Sequence, residues 1–338
     1  MIWLTWRQFR TQALIGAAVA VAVAAVFLAT RGSLLALARD TGYTGCTANC
    51  DQIADQFVRQ AQQQIYGRLL FNGTALLFLL PALIGLFWGA PLVARELETG
   101  THRLVWNQTV SRGRWLAVKL GGIGLATVAI AGLLSWAITA WASPLDKANG
   151  WMSPDTFTAR GLVPIGYAAF GFLAGVTVGM LMRRTVPAMA VTLVVVAAAM
   201  ALSMGVLRPH LVASTTYTGA VTADNIGGIS LSMSDPNRRI QVEVHAPVGK
   251  SWVLSSDVLT SAGTPWHGPY DPSKCGPQAP SGPQGCEQWI ASQNLQQKVI
   301  YLGPQKFWPL QWRELGVFLV VSALLAGFCF WWIRRRVA

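Results

Sequence analysis

The chain has 338 residues, of which 53% are hydrophobic and 12% charged, where a soluble globular chain carries about 25% charged residues. With 15 Trp and 33 Gly, this excludes a disordered chain, argues against a soluble enzyme and leaves a polytopic membrane protein. The net charge of +12 would suit a nucleic-acid binder, but Lys and Arg sit in short blocks beside apolar runs, which is membrane topology, so no nucleic-acid partner is expected.

A helix needs about 20 apolar residues to cross a bilayer. Six stretches qualify in chain order: 14–30, 69–93, 116–141, 161–182, 187–207 and 315–333. Ahead of the first, residues 1–10 interleave Trp3, Trp6 and Phe9 with Arg7 and Arg10, the pattern of a short helix lying flat in the interface. The first stretch can extend past Arg31 through Leu34 to Ala38; its basic flank and small residues also fit a signal peptide. As an uncleaved span it makes the count even and puts both termini on one side.

The Lys/Arg distribution chooses that side. With the N-terminus inside, the inner segments hold Arg7, Arg10, Arg95, Arg103, Arg112, Arg114, Lys119, Arg183, Arg184 and Arg334 to Arg336, against only Glu96 and Glu98. The two short outer loops hold Arg31, Arg39, Arg59, Arg68, Lys147 and Arg160. The asymmetry places both termini in the cytoplasm. Trp3, Trp6, Trp88, Trp115, Trp331 and Trp332 then fall at the inner interface and Trp136, Trp141, Trp308 and Trp312 at the outer one, as two aromatic belts.

Apart from Lys119 in the first turn of the third window, no Asp, Glu, Lys, Arg or His lies within the apolar windows, and all four His fall outside them. Ion-driven transporters keep such groups at membrane depth, so a self-powered transporter is disfavoured. No Gly-x-x-x-x-Gly-Lys-Ser/Thr loop occurs either; driven work would draw its energy from another polypeptide. Gly171, Gly175 and Gly179 form a small-residue line on the fourth span, suited to intra-chain helix packing, with a dimer seam as the alternative. Pro81 interrupts the second span and permits a kink.

Loop 31–68 carries Cys46 and Cys50, followed by an amphipathic repeat of Ile53, Phe57, Val58, Ala61 and Ile65, which predicts a helix over 51–67 running into the second span. Segment 208–312 is polar and rich in Gly, Pro, Ser and Thr. It predicts strands at 240–245 and 251–254, a Pro/Gly-rich loop at 263–285 bearing Cys275 and followed by Cys286, and a short helix over 287–297. No catalytic Ser/His/Asp spacing is legible there. The fold class is thus an all-α polytopic membrane protein with six transmembrane helices and a small, mainly β extracytoplasmic domain between spans five and six. Its parts are a membrane domain 1–207 (outer loop 31–68, inner loop 94–115), the outer domain 208–312, and a sixth span with basic tail, 313–338. Four of five Cys fall outside, where two disulfides are expected. Four Cys allow three connectivities. Local pairing, Cys46–Cys50 and Cys275–Cys286, is favoured, with pairing between the two outer segments and metal binding as alternatives. Cys329 is read as an inert thiol within the last span.

The one substantial inner loop, 94–119, is dense in charge and reads as a docking surface for a soluble partner. Glu96 and Glu98 lie two residues apart, so on a helix they project about 200° apart and cannot both face that partner. One is expected to meet the partner or cap the next helix, the other to anchor to a basic neighbour such as Arg103. Thr101 and Ser111 are candidate N-caps.

Here the chain resembles a known family. Glu96, Glu98, Gly100-Thr101, Val110-Ser111-Arg112 and Lys119, with Arg183-Arg184-Thr185-Val186-Pro187 and Phe307-Trp308-Pro309-Leu310-Gln311-Trp312 with Glu314, resemble the pattern of ABC transporter permeases of the type-two exporter class, in its actinobacterial branch. Many relatives have Pro where this chain has Thr109, a difference in the local turn. The resemblance implies that the loop forms a coupling helix, through Glu96, Glu98, Gly100, Thr101, Arg103, Ser111, Arg112 and Lys119, in a cleft of a separate ATPase. It implies a unit of two permeases, as a homodimer or with a close paralogue, and two ATPases. ATP and Mg would be held by the ATPase and no cofactor or metal by this chain. The location would be the plasma membrane of a bacterium. Such a permease would export a hydrophobic or amphipathic compound such as a lipid, an antibiotic or a modified peptide, and would not itself be an enzyme. The alternative is a sensor whose outer domain binds a ligand and whose inner loop signals.

Overall fold

A computed structural model describes residues 2–100, 111–231, 240–268, 271–275 and 282–335. The chain divides into two compact units, 1–211 with 307–338, and 212–306. Among the described residues six helices are long and apolar enough to cross a membrane: Phe9–Asp40, Ile65–Glu98, Arg112–Asn149, Val163–Met182, Thr185–Leu211 and Pro304–Arg335. They contain five of the six apolar stretches and outrun them, because a helix propagates through polar ends once nucleated; the fourth helix starts at Val163, two residues inside the predicted 161–182, after Gly161 at φ 66°.

The first helix, α1, is Ile2–Asp40, 39 residues without a break. This corrects the expected interfacial helix. Nothing between Phe9 and Leu14 stops the ladder, since no Gly or Pro stands there, and Phe9 is buried edge-on against Trp88 at 5.1 Å. Helix α2, Cys50–Gln63, buries Ala54, Phe57 and Ala61 along one face. Its start is tied by the Cys46–Cys50 disulfide. The helix does not run into the next span as the repeat predicted: Gln64 is extended (φ −97°, ψ −174°), and α3 begins at Ile65.

The second span is α3 (Ile65–Ile84), a π-helical turn at Gly85–Gly89, and α4 (Ala90–Glu98). The wide turn follows Pro81, which supplies no N–H to the ladder. Helix α5 is Arg112–Asn149, α6 the short Pro154–Thr158, α7 Val163–Met182 and α8 Thr185–Leu202. A second π turn, Ser203–Leu207, leads into α9, Arg208–Leu211. The belts need revision. Trp136, Trp308, Trp312 and Trp331 are exposed, but Trp115 and Trp141 are core residues, Trp141 packing edge-on to Phe27 at 5.1 Å.

Unit 212–306 holds strands β1 (Thr215–Ala220), β2 (Ile226–Leu231), β3 (Ile240–Val244), β4 (Trp252–Leu259) and β5 (Gln296–Leu302). They form an antiparallel sheet ordered β1-β5-β4 and a β2-β3 pair. Two short helices, α10 (Pro272–Cys275) and α11 (Gly282–Ala291), are joined by the Cys275–Cys286 disulfide. Cys286 and Ile290 pack with Val221, Val244 and Leu295 as this unit's core. Ser273 donates to Asp271 through its hydroxyl (2.6 Å) and amide (3.0 Å), holding that carboxyl below its ordinary range. The helix predicted over 287–297 ends at Ala291. Asn294 is left-handed (φ 52°), and the β-branched and aromatic run Val299-Ile300-Tyr301 then takes the central strand. The last helix, α12, is Phe307–Arg335, and starts eight residues ahead of the predicted span.

Candidate functional site

At one end of the bundle the charged segment after the second span is held by its own acids. Glu96 accepts an ion-paired hydrogen bond from the Lys119 ammonium, which lies 4.6 Å from the Trp115 ring centroid. This joins α4 to α5. Glu98 accepts from the Thr185 amide (3.0 Å) and hydroxyl (2.7 Å), so it caps α8 from outside the helix and joins the second span to the fifth. One acid was expected to find a basic neighbour and the other a helix start. The described partner of Glu96 is Lys119, and the helix that Glu98 caps is α8. Gly100 follows at φ 72°, a left-handed conformation that favours glycine. Ser111 accepts from the Arg114 amide at 3.4 Å and caps α5. Arg112 lies half-buried beside Arg114 and Arg334. Thr101 and Arg103, with Thr109 and Val110, lie outside the described residues.

The glycine line sits at the contact of α7 with the second span. A Cβ on Gly171 would stand 2.3 Å from the Pro81 carbonyl oxygen, on Gly175 2.4 Å from that of Gly85, and on Gly179 2.4 Å from that of Ala90. Gly85 and Gly89 in the π turn reciprocate, with virtual Cβ atoms 2.6 and 2.4 Å from the Gly171 and Phe172 carbonyl oxygens. The two backbones touch along three turns, and no side chain fits between them. This is intra-chain packing.

The other end carries what the apolar windows concealed. Arg208 and Glu314 are both wholly buried and paired, Nε to Oε2 at 3.0 Å. Glu314 also accepts from Tyr167 (2.6 Å) and Ser203 (2.7 Å), while Arg208 donates to Thr158 (2.8 Å) and lies 4.9 Å from the Phe157 ring. Beside it Gln311 accepts from the Leu162 and Val163 amides (2.8 and 3.0 Å) and donates to the Phe157 carbonyl. A second pair joins Arg160 to Asp146 at 2.7 Å, with both guanidinium NH groups donating to Thr74 at 3.2 Å. By sequence Arg160 reads as an outer-loop charge and Arg208 as the first residue of the polar segment 208–312. Both are buried structural partners, because the helices extend past their apolar windows and close around them. The available signal was the placement of cations and acids at the facing ends of consecutive spans.

Between α2, α3, α5 and α6 at this end lies a cavity of about 680 Å³. A smaller one of about 400 Å³ lies beside Glu96 and Lys119 at the opposite end.

No curated protein and no solved structure matches the chain. A family model described as ABC-2 membrane transporter related matches residues 17–208, more than half of the chain. With six helices fit to span a bilayer, the chain belongs to that family, the multi-pass ABC-2 type permeases.

Proposed function

We propose that this chain is the membrane subunit of an ATP-driven exporter, powered by a separate ABC ATPase that holds ATP and Mg. The working unit would be two permease copies with two ATPases. Both termini would lie in the cytoplasm of a bacterial cell and residues 212–306 outside, as the Lys/Arg asymmetry supports. The observation that carries the coupling role is the double attachment of the segment after the second span, to α5 through Glu96–Lys119 and to α8 through Glu98–Thr185. A partner that displaces this segment moves three spans together. The apolar spans suit a hydrophobic or amphipathic cargo.

The test is copurification with a candidate ATPase, followed by ATP hydrolysis with and without amphipathic cargo. A Glu98→Ala/Arg112→Ala variant should insert and melt like wild type while losing ATPase capture or cargo-stimulated hydrolysis. A variant that exports and binds its ATPase like wild type overturns the coupling assignment.

A further inference from the structure

The cavity of about 680 Å³ lies within the range of about 300–1,000 Å³ of small-molecule sites. Its wall includes the Arg160–Asp146 pair, whose charges neutralise one another at 2.7 Å. Two further charged residues line it, Arg68 from α3 and Asp155 from α6, both exposed and neither in an ion pair among the described residues. The lining is therefore neutral in sum but dipolar, with one available cation and one available anion. Amides of Gln62, Asn72 and Asn149 add hydrogen-bonding capacity. Apart from Thr74 and Thr156 the remaining wall is apolar and includes Leu70 and Phe71. Phe71 is 73% exposed, and Leu79, two turns further along α3, is exposed as well, so an apolar surface leads from the cavity down the bundle.

These groups select a ligand by elimination of charge types. An anionic head would face Asp155 and a cationic head Arg68, each a like-charge encounter. A wholly apolar molecule would strip water from Arg68 and the amides without replacing their hydrogen bonds. A head with both charges satisfies both residues. We infer that this cavity binds the head of a zwitterionic amphiphile, its anionic group on Arg68 and its cationic group on Asp155, with the apolar tail along Leu70 and Phe71. This deepens the exporter reading by naming a cargo class, and rests on that reading only for the ligand's being cargo.

The experiment uses the purified full chain in detergent without an ATPase. Native mass spectrometry measures retention of phosphatidylethanolamine against phosphatidylglycerol with matched acyl chains, and of glycerophosphoethanolamine as the free head. The zwitterionic lipid should be retained over the anionic one by about tenfold, the scale of one charge-assisted contact. Arg68→Gln should lose that retention by a similar factor, and Asp155→Asn should turn the preference towards phosphatidylglycerol. Both side chains are exposed, so unchanged melting temperatures should accompany both variants. Retention of the lipid alone assigns the ligand to the membrane, and equal retention of the free head assigns it to a soluble zwitterion; either supports the recognised chemistry. Equal retention of both lipids by wild type, or a preference that neither variant moves, overturns it. Failure of the wild-type chain to capture any ATPase would overturn the exporter reading and leave this binding result standing.

Discussion

The two ends of the helix bundle are both held by charge, under opposite conditions of solvation. Arg208 and Glu314 are wholly buried, and Tyr167, Ser203 and Thr158 supply further hydrogen bonds. At the other end Glu96 retains 16% exposure of its side chain, and Glu98 is a surface cap whose bonds to Thr185 compete directly with water. Opening the first cluster strands a charge in a low-dielectric interior, which is costly. Opening the second gives its two acids to water, although Lys119 itself is buried. The difference teaches which end is able to move: the bundle is locked where α7, α9 and α12 converge and is deformable where the charged segment after the second span begins. The Gly171/Gly175/Gly179 seam joins the two, because backbones in contact transmit displacement without side chains to absorb it.

The sharpest way to break this comparison is Glu314→Ala. It leaves Arg208 buried without its counter-ion and should cost about 3–5 kcal/mol, enough to lower the melting temperature of the detergent-solubilised protein severely. Arg208→Met with Glu314→Leu should recover much of that loss, since a buried pair replaced by apolar groups is often neutral. A Glu314→Ala protein that melts like wild type would show that this end is not locked.

Lys119→Met tests the opposite end. It removes the ammonium from Glu96 in a site that water reaches, so the expected cost is about 1–3 kcal/mol, below that of Glu314→Ala. Lys119→Arg should retain most of the stability, and a larger loss than for Glu314→Ala would reverse the ranking of the two ends. Gly175→Ala addresses the seam. Its Cβ meets the Gly85 carbonyl and the backbones of Gly89 and Ala90 at 2.4–3.0 Å, so the helices must part. About 1 kcal/mol is expected, at the low end of over-packing costs. The accompanying readout is ATPase stimulation, which should fall further than stability if the seam relays motion.

Spans and seam were legible in the sequence because each is written in local composition. An apolar run reads directly as a span, and a Gly every fourth residue reads as one helix face. The Arg208–Glu314 pair was not legible, since 106 positions separate its members and a charge at a span's end reads equally as a solvated flank. Only the convergence of α9 and α12 decides between the two. Trp141 was misplaced for the same reason: a Trp near a span's end is an interface anchor or a core residue according to whether another helix, here through Phe27, covers it. In unit 212–306, β3 showed its alternation, whereas β1 and the polar start of β5 are dominated by Thr, Gly and Gln. Their strand state comes from pairing with one another, not from local preference. At the candidate coupling site the residue types were readable from the chain, but the cap from Glu98 to Thr185, 87 positions away, was not.

That cap gives the smallest and most local effect. Glu98 sits at the end of α4 and offers one carboxylate oxygen to both the amide and the hydroxyl of Thr185, the first residue of α8. The amides of a helix's first turn have no intrahelical acceptor, so Glu98→Ala exposes that turn to water without emptying any core space. Global melting should shift less than for any substitution above. Hydrogen exchange should quicken at residues 185–188, while protection around Thr192 and Val196, both buried, stays as in wild type. Glu98→Gln keeps an acceptor oxygen but removes the negative charge from a helix N-terminus, which favours anions, so its exchange should fall between the two. A coupling role makes one further demand. ATPase capture should follow the same order, wild type above Gln above Ala, because the contact that orders α8 also fixes the segment the ATPase would grip. If exchange follows that order and ATPase capture does not, Glu98 is a helix cap and nothing more, and the coupling role passes to Glu96 and Lys119.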